Sequence, residues 1–366
     1  MKKKTGHAPD TLLMITIIIL TIFGLVMLSS ASSDLGKMQF NDSYYYIKHQ
    51  ITFGLSIGII GFLFGYFIYY QRLKKIIFPA LLVSIFFLAL VFTKFGSLVN
   101  NTNRWLKFGF LSFQPAELMK LTYITYLSAW LSNVKIKRES NFQEGFIPFL
   151  IISGIIAVLL LLQPATSIVA IILLSGLIMY FISGTKLKYL LFIFLIVIIV
   201  FGAFILVTPY RLSRITSFLH QNNNVQAQNF QLNQALIAIG SGGVWGVGYG
   251  GSATKASYLP APIDDSIFAI IGEELGFIGA SIVIILFAFL VFRLFYLAFK
   301  TGDRFGKLYL IGFGSVVGIQ AFVNMASISG IIPLTGVPLP FISYGGTSLA
   351  VFLTMSGIAL NITKYI

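Results

Sequence analysis

Ten apolar stretches dominate this chain, at roughly residues 11–31, 50–70, 76–95, 115–133, 145–163, 166–184, 187–208, 267–299, 307–330 and 343–363. A helix that crosses the hydrocarbon of a bilayer needs about 20 mostly apolar residues. No water is available there, so a spanning segment must satisfy its own backbone, which only helices and closed barrels do. These stretches predict an all-α fold, a polytopic membrane helical bundle of about ten transmembrane helices, as a single domain over residues 1–366. Composition agrees: 57% of residues are hydrophobic, 10% are charged and the mean hydropathy is +0.91. A soluble domain carries about 25% charged residues. The first stretch is too long for a cleaved signal peptide, and residues 29–33 are only weakly cleavage-like.

Lysine and arginine set the orientation, because basic residues collect on the cytoplasmic side. One set of connections holds Lys2, Lys3, Lys4, Arg72, Lys74, Lys75, Lys135, Lys137, Arg138, Lys186, Lys188, Lys300, Arg304, Lys307 and Lys364. The opposite set holds Lys37, Lys48, Lys94, Arg104, Lys107, Arg211, Arg214 and Lys255, spread over more residues. Both termini are therefore expected in the cytoplasm, and an even number of spans satisfies that. The net charge of +14 is read as this topology signal beside anionic lipid, not as nucleic-acid binding. The absence of cysteine excludes disulfides and thiolate chemistry. His7, His49 and His220 form no helical pair, so a histidine metal site is not expected.

The outer connections are unequal. The link at 163–167 is a tight, uncharged turn, whereas the link between spans 7 and 8 runs from about 209 to 266. Connections of that length are usually functional or disordered. This one is rich in glycine and aromatics and ends in acids, which favours function. Short interfacial helices are expected in its polar stretch 216–234.

Acid placement narrows the candidates. Among eleven acidic residues, five are not explained by solvation in connections: Glu117, Asp264, Asp265, Glu273 and Glu274. Glu117 and Lys120 are three apart on one helix face. They read either as a self-satisfied ion pair or as a cavity-lining pair that orients substrate. Arg104 and Lys107 flank Trp105 in a segment that is either an interfacial belt or a phosphate clamp. The run 238–251 has seven glycines between 240 and 251. It is either a flexible loop or a backbone nest for anions. Asp264 and Asp265 sit where the chain re-enters the membrane. Partial desolvation there raises a carboxyl pKa toward that of a general base, while either residue could instead N-cap the eighth span. Glu273 and Glu274 follow within the same apolar run, where they bond nearby helix ends or line the cavity.

Taken together, these segments resemble the SEDS glycosyltransferases, the FtsW and RodA proteins of bacterial wall synthesis. The matching residues are Arg104-Trp105, Phe113-Gln114-Pro115-Ala116-Glu117 with Lys120, and Ala238-Ile239-Gly240-Ser241-Gly242-Gly243. Next come Lys255, Tyr258-Leu259-Pro260, Asp265, Ile267-Phe268 and Glu273-Glu274-Leu275-Gly276. The most specific block runs Pro333-Leu334-Thr335-Gly336-Val337-Pro338-Leu339-Pro340-Phe341-Ile342-Ser343-Tyr344-Gly345-Gly346. Within the family, Lys255-x-x-Tyr258-Leu259-Pro260 looks more like the FtsW, cell-division branch. Three positions depart from the pattern: Asp264 replaces a common Thr, Ser266 a common Phe, and Ala165 an Asp that usually follows Gln-Pro. Ala116 for Ser is a smaller change.

The resemblance implies a ten-span protein of the bacterial cytoplasmic membrane, septal if FtsW-like, that polymerises lipid II into a nascent glycan strand at the outer face. It implies Asp265 as the essential carboxylate, with Asp264 beside it as the alternative base or as a cap. Arg104, Lys107, Lys255, Arg211 and Arg214 are candidates to bind the lipid pyrophosphate. Glu117, Lys120, Glu273, Glu274 and Ser343 are candidates to shape the substrate cavity. A divalent cation, Mg²⁺ or Mn²⁺, could bridge the pyrophosphate. The expected partners are a class B penicillin-binding protein (a transpeptidase) and other divisome proteins. Rival functions are a lipid II flippase, which would use the same cavity without bond formation, and a non-catalytic scaffold for a transpeptidase.

Overall fold

The computed structural model describes residues 6–99, 102–108, 111–133, 141–195, 202, 227–254 and 259–366. It is a bundle of long helices. Helix α1 spans Thr11–Phe40 and is capped by Asp10, whose carboxylate accepts from Leu13 N at 2.8 Å. Helix α2, Tyr45–His49, runs through a π turn into α3, Ser56–Phe67. Helix α4 is Leu73–Leu90, α5 Pro115–Leu131, α6 Ile147–Leu162 and α7 Thr166–Ile182. Residues 187–195 form α8. Helix α9 is Ala227–Ser241, α10 Ile267–Lys300, α11 Arg304–Ile328 and α12 Gly346–Thr363. Among the described residues, seven helical segments have the length and hydropathy to cross a membrane, and Thr166–Ile182 is a shorter apolar helix. Of the ten expected spans, the fourth is α5, and the seventh lies largely outside the described residues. The chain is a multi-pass helical membrane protein.

Lipid and core divide the apolar residues. Phe67, Phe292 and Ile285 face outward, while Tyr123, Tyr309 and Phe352 are fully buried. Small residues bring backbones together where no hydrophobic drive between helices exists. Helix α3 lies against α12 in this way: a Cβ on Gly65 would stand 2.7 Å from Ile358 N. The two chain ends meet at one face. His7 N donates to Lys364 O at 2.9 Å, and Asp10 N to Thr363 Oγ1 at 3.0 Å. Asp10 also receives a two-pronged contact from Arg293 of α10, at 3.1 and 2.5 Å. The shared face of the termini agrees with an even number of spans.

Two features depart from an all-helical reading. Three short strands, β1 Gly96–Val99, β2 Thr102–Phe108 and β3 Leu111–Phe113, form a small antiparallel sheet in the order β1-β2-β3. Its strands are three to seven residues long and join two spans, so no periodicity announced them. The second is a break in the eighth span. Helix α10 turns at Gly276, with φ 67° and ψ −166°, leaving an outer half at 267–275.

The glycine-rich run straps this break. Val247 N donates to Glu273 O and Gly248 N to Glu274 O, both at 3.0 Å. From the other side of the break, Phe277 N donates to Gly243 O at 2.9 Å and Ile278 N to Val244 O at 3.3 Å. Backbone meets backbone, so side chains are excluded. A Cβ on Gly246, whose φ is +82°, would lie 2.2 Å from Glu274 O. Of the stretch 216–234, where short helices are expected, residues 216–226 lie outside the described residues and 227–234 belong to helix α9. Gly246→Ala is expected to destabilise by on the order of 1–3 kcal/mol through overpacking and positive φ, lowering the thermal midpoint of the purified protein in detergent. Gly240→Ala, with nothing within 4 Å of its Cβ, should not. Equal midpoints for the two variants would remove the close-approach account.

Candidate active site

The chain returns from the outer loop through a compact turn. Ala261 has a positive φ of 48°, and its carbonyl accepts from both Asp264 N and Ser266 N, at 3.2 and 3.3 Å. Ser266 occupies the N-cap position of α10 without a side-chain cap bond. Its hydroxyl instead donates back to Pro260 O at 3.0 Å. The capping role expected for Asp264 or Asp265 is therefore corrected. The turn pulls both carboxylates away from the helix end and leaves them for other work.

Asp265 is half-buried. Gln231 of α9 places its amide nitrogen 3.4 Å from each carboxylate oxygen and 3.1 Å from Ser266 Oγ. Gly336 lies opposite, where an added Cβ would come within 3.7 Å of Asp265 Oδ2. Asp264 has an exposed side chain and yet has protein on most sides, as at the bottom of a narrow opening. Loss of hydration, and then the charge of Asp265, push its carboxyl up to about 7. Tyr46 and Tyr344 lie close enough to feel the Asp264 charge. The Tyr344 hydroxyl is 2.9 Å from His49 Nδ1.

The wall facing the doublet is the irregular segment 329–345. It is held at many points by side chains from other elements. Thr335 O accepts from Ser167 Oγ at 3.0 Å, Pro338 O from Gln320 Nε2 at 2.8 Å, and Val337 O from Asn324 Nδ2 at 2.7 Å. Gly345 N donates to Gln50 Oε1 at 3.1 Å, and Tyr344 N to Ile263 O at 2.9 Å. Gln50, Gln231, Gln320 and Asn324 were not among the expected site residues. The signal that marks three of them is an uncharged amide inside an otherwise apolar span.

Other expected substrate contacts take different positions. Glu273 is 2% exposed. It accepts from Ser252 Oγ at 2.6 Å, from the backbone of Ala253 and Thr254 at 3.0 and 3.4 Å, and from Thr254 Oγ1. Glu274 is fully buried and accepts from Ser30 Oγ of α1 at 2.6 and 2.8 Å. These acids fasten the outer half of α10 to α1 and to residues 252–254. Glu117 and Lys120 form a 2.7 Å ion pair buried in the bundle. Lys120 also donates to Gln320 Oε1 at 2.6 Å. Ser343 is buried and accepts from Leu339 N at 2.8 Å.

Arg104 aims its fork at the tight turn between α6 and α7, donating to Gln163 O at 3.0 Å and Pro164 O at 2.6 Å. That turn is the place where Ala165 stands, itself buried. Lys107 is exposed on β2. Lys255, Arg211 and Arg214 lie outside the described residues. The glycine run is corrected as an anion nest: the N–H groups of Gly246, Val247 and Gly248 already bond backbone carbonyls.

A multi-pass helical bundle with an accessible carboxylate doublet at the end of a long loop, on a broken helix pinned by buried acids, defines a membrane-embedded protein with one polar site at one face. The chain belongs to the FtsW/RodA/SpoVE family, described as cell cycle proteins, whose model matches residues 10–366. It is 36% identical to stage V sporulation protein E of Bacillus subtilis (strain 168), over 99% of this chain and 98% of that protein. It is 35% identical, over the same shares, to a probable peptidoglycan glycosyltransferase FtsW of Geobacter sp. (strain M18). Among solved structures, it matches a chain of a peptidoglycan synthase complex in which polymerization and crosslinking are coordinated, with a TM-score of 0.81 at 26% identity, covering 97% of this chain and 98% of that one. It matches rod shape determining protein RodA of Thermus thermophilus with a TM-score of 0.70 at 25% identity, covering 97% of each chain. The family read from the motifs is thus the family matched.

The Asp264 environment has a measurable consequence. Unfolded, this carboxyl ionises near 3.8; folded, it stays protonated up to about 7. Between these values the folded state holds the extra proton, so stability contributed at this site is complete below about pH 4 and falls as pH rises toward 7. Asp264→Asn removes that loss. Its thermal midpoint should exceed that of the wild type at pH 8, with the gap closing toward pH 4. A gap independent of pH would show that Asp264 is not destabilised by its charge.

Proposed function

We propose that this chain is a peptidoglycan glycosyltransferase that polymerises lipid II at the outer face of the cytoplasmic membrane, in the wall synthesis of cell division. One observation carries the reading at this site. Glu117, Glu273 and Glu274 are buried in structural bonds, while Asp264 and Asp265 are accessible together at one end of the bundle. The names of the FtsW relatives supply the reaction class.

Asp265 is the general base. Its carboxylate takes the proton of the acceptor sugar hydroxyl as that oxygen bonds the donor anomeric carbon. The bond from that carbon to the pyrophosphate oxygen breaks, and its electron pair leaves with the lipid pyrophosphate. A base must reach the proton it removes and be held in place; Gln231 and the turn at Ala261 do the holding. The developing negative charge needs cationic or N–H partners. Lys107 supplies one, and Lys255, Arg211 and Arg214 are assigned the same task from their place in the loop. A divalent cation such as Mg²⁺ or Mn²⁺ is bound by one or two carboxylates together with phosphate oxygens. Asp264 and Asp265 would hold it, although no group of three acidic or histidine ligands is assembled among the described residues. When bound, it would neutralise pyrophosphate charge. Both termini are assigned to the cytoplasm, from the charge count and their shared face. The match to a chain of a synthase complex supports a penicillin-binding transpeptidase as partner, with other divisome proteins beside it at the septum.

The test uses purified protein with its cognate transpeptidase and labelled lipid II. Asp265→Ala should abolish glycan polymer. Asp264→Asn should retain polymerisation and leave the acid limb of the rate profile in place, because Asp264 is already protonated at acid pH and carries no charge there to lose. Equal polymer from wild type and Asp265→Ala refutes the mechanism. Lipid scrambling without polymer from the wild type would replace it with transport.

A further inference from the structure

Two amides on successive turns of α11 face the same irregular segment and have no place in the proposed chemistry. Asn324 is 1% exposed and Gln320 fully buried. Asn324 Nδ2 donates to Asp265 O at 2.8 Å and to Val337 O at 2.7 Å. One nitrogen thus ties the backbone of the proposed base to the backbone of the wall opposite it. Carbonyls only accept, so the orientation of this amide follows from its partners. A carboxylate of the same shape would set an acceptor oxygen against both carbonyls.

Gln320 solves a different matching problem. Its Nε2 donates to Pro338 O at 2.8 Å, while its Oε1 accepts from Lys120 Nζ at 2.6 Å. An amide is the side chain that joins a cation to a carbonyl, because it carries a donor and an acceptor together. Lys120 is anchored in turn by Glu117 at 2.7 Å and lies 5.3 Å from the ring centre of Phe352. The buried ion pair therefore reaches the site through Gln320 and the segment it holds. Leaving either carbonyl unsatisfied at this depth would be costly, so the amides select one position for each backbone.

We propose that Asn324 is a positioning residue that sets the separation between the Asp265 backbone and residues 335–339, and that Gln320, loaded by the Glu117–Lys120 pair, fixes the far side of that gap. The catalytic part rests on Asp265 being the base; the positional part does not.

The experiment takes the full chain in detergent through hydrogen-exchange mass spectrometry and, with its transpeptidase, through lipid II polymerisation. Asn324→Leu keeps the volume and removes the donors. Exchange is expected to quicken in both 263–266 and 335–339, with no change at 252–254, which Glu273 holds independently. The rate constant kcat should fall by about 10- to 100-fold, the scale of an ångström's misplacement, with KM for lipid II within about twofold. Gln320→Met should quicken exchange at 335–339 alone and lower kcat by less. It also reports if Asn324→Leu does not fold. Unchanged exchange at 263–266 in folded Asn324→Leu, or quickened exchange with kcat intact, overturns the proposal. So does quickened exchange at 263–266 in Gln320→Met. An active Asp265→Ala control would instead overturn the assignment of the base, leaving the exchange data to judge positioning by themselves.

Discussion

Irregular backbone at membrane depth must find hydrogen-bond partners within the protein, because the surrounding hydrocarbon offers none. The rest of this structure follows from that requirement. At several places where a helix stops, a buried polar side chain takes over the unsatisfied groups. Gln163 Nε2 donates to Leu88 O at the end of α4, and Asn361 of α12 serves Tyr66 O and Tyr70 N across the turn between α3 and α4. Glu273 gathers the backbone of 253–254, and Gln320 and Asn324 gather that of 337–338. These side chains do what water does for loops of a soluble protein.

This requirement also explains how far the sequence was legible. The spans were, because each must satisfy length and hydropathy alone. The family resemblance and the outer doublet were legible too. The roles of the other polar residues were not, because their partners are remote in the chain. Glu274 is satisfied by Ser30, 244 positions away, and Lys120 by Gln320, 200 positions away. Read singly, an intramembrane acid points to a substrate site. Read with its partners, Glu273 is an anchor for a loop. Arg104 makes the same point: a guanidinium fork that suits phosphate also suits two carbonyls of a turn. The sheet at 96–113 escaped because three short strands carry too few alternations to register.

The doublet shows how two identical side chains acquire different properties from one turn. Ala261 accepts from the residues on either side of Asp265 in the chain, the N–H groups of Asp264 and Ser266, which fixes the backbone that carries both carboxylates. The Asp265 carboxylate faces the Gln231 amide of α9, and its main-chain carbonyl the Asn324 amide of α11, whereas Asp264 lies near tyrosines and a neighbouring charge. Pairs of acids whose surroundings push them apart are a recurring means of assigning different proton tasks at one pH. Here the division depends on Ser266 leaving the helix end uncapped and turning to Pro260.

The strap across the break in α10 counts residues. Two of its contacts join 247–248 to 273–274, and two join 243–244 to 277–278, so the spacing within each run is matched to the other. An insertion or deletion inside 243–248 would satisfy one pair of contacts only by losing the other. The glycine run and the broken helix therefore act as one measured unit within this chain, fixed to the residue on both sides of the break.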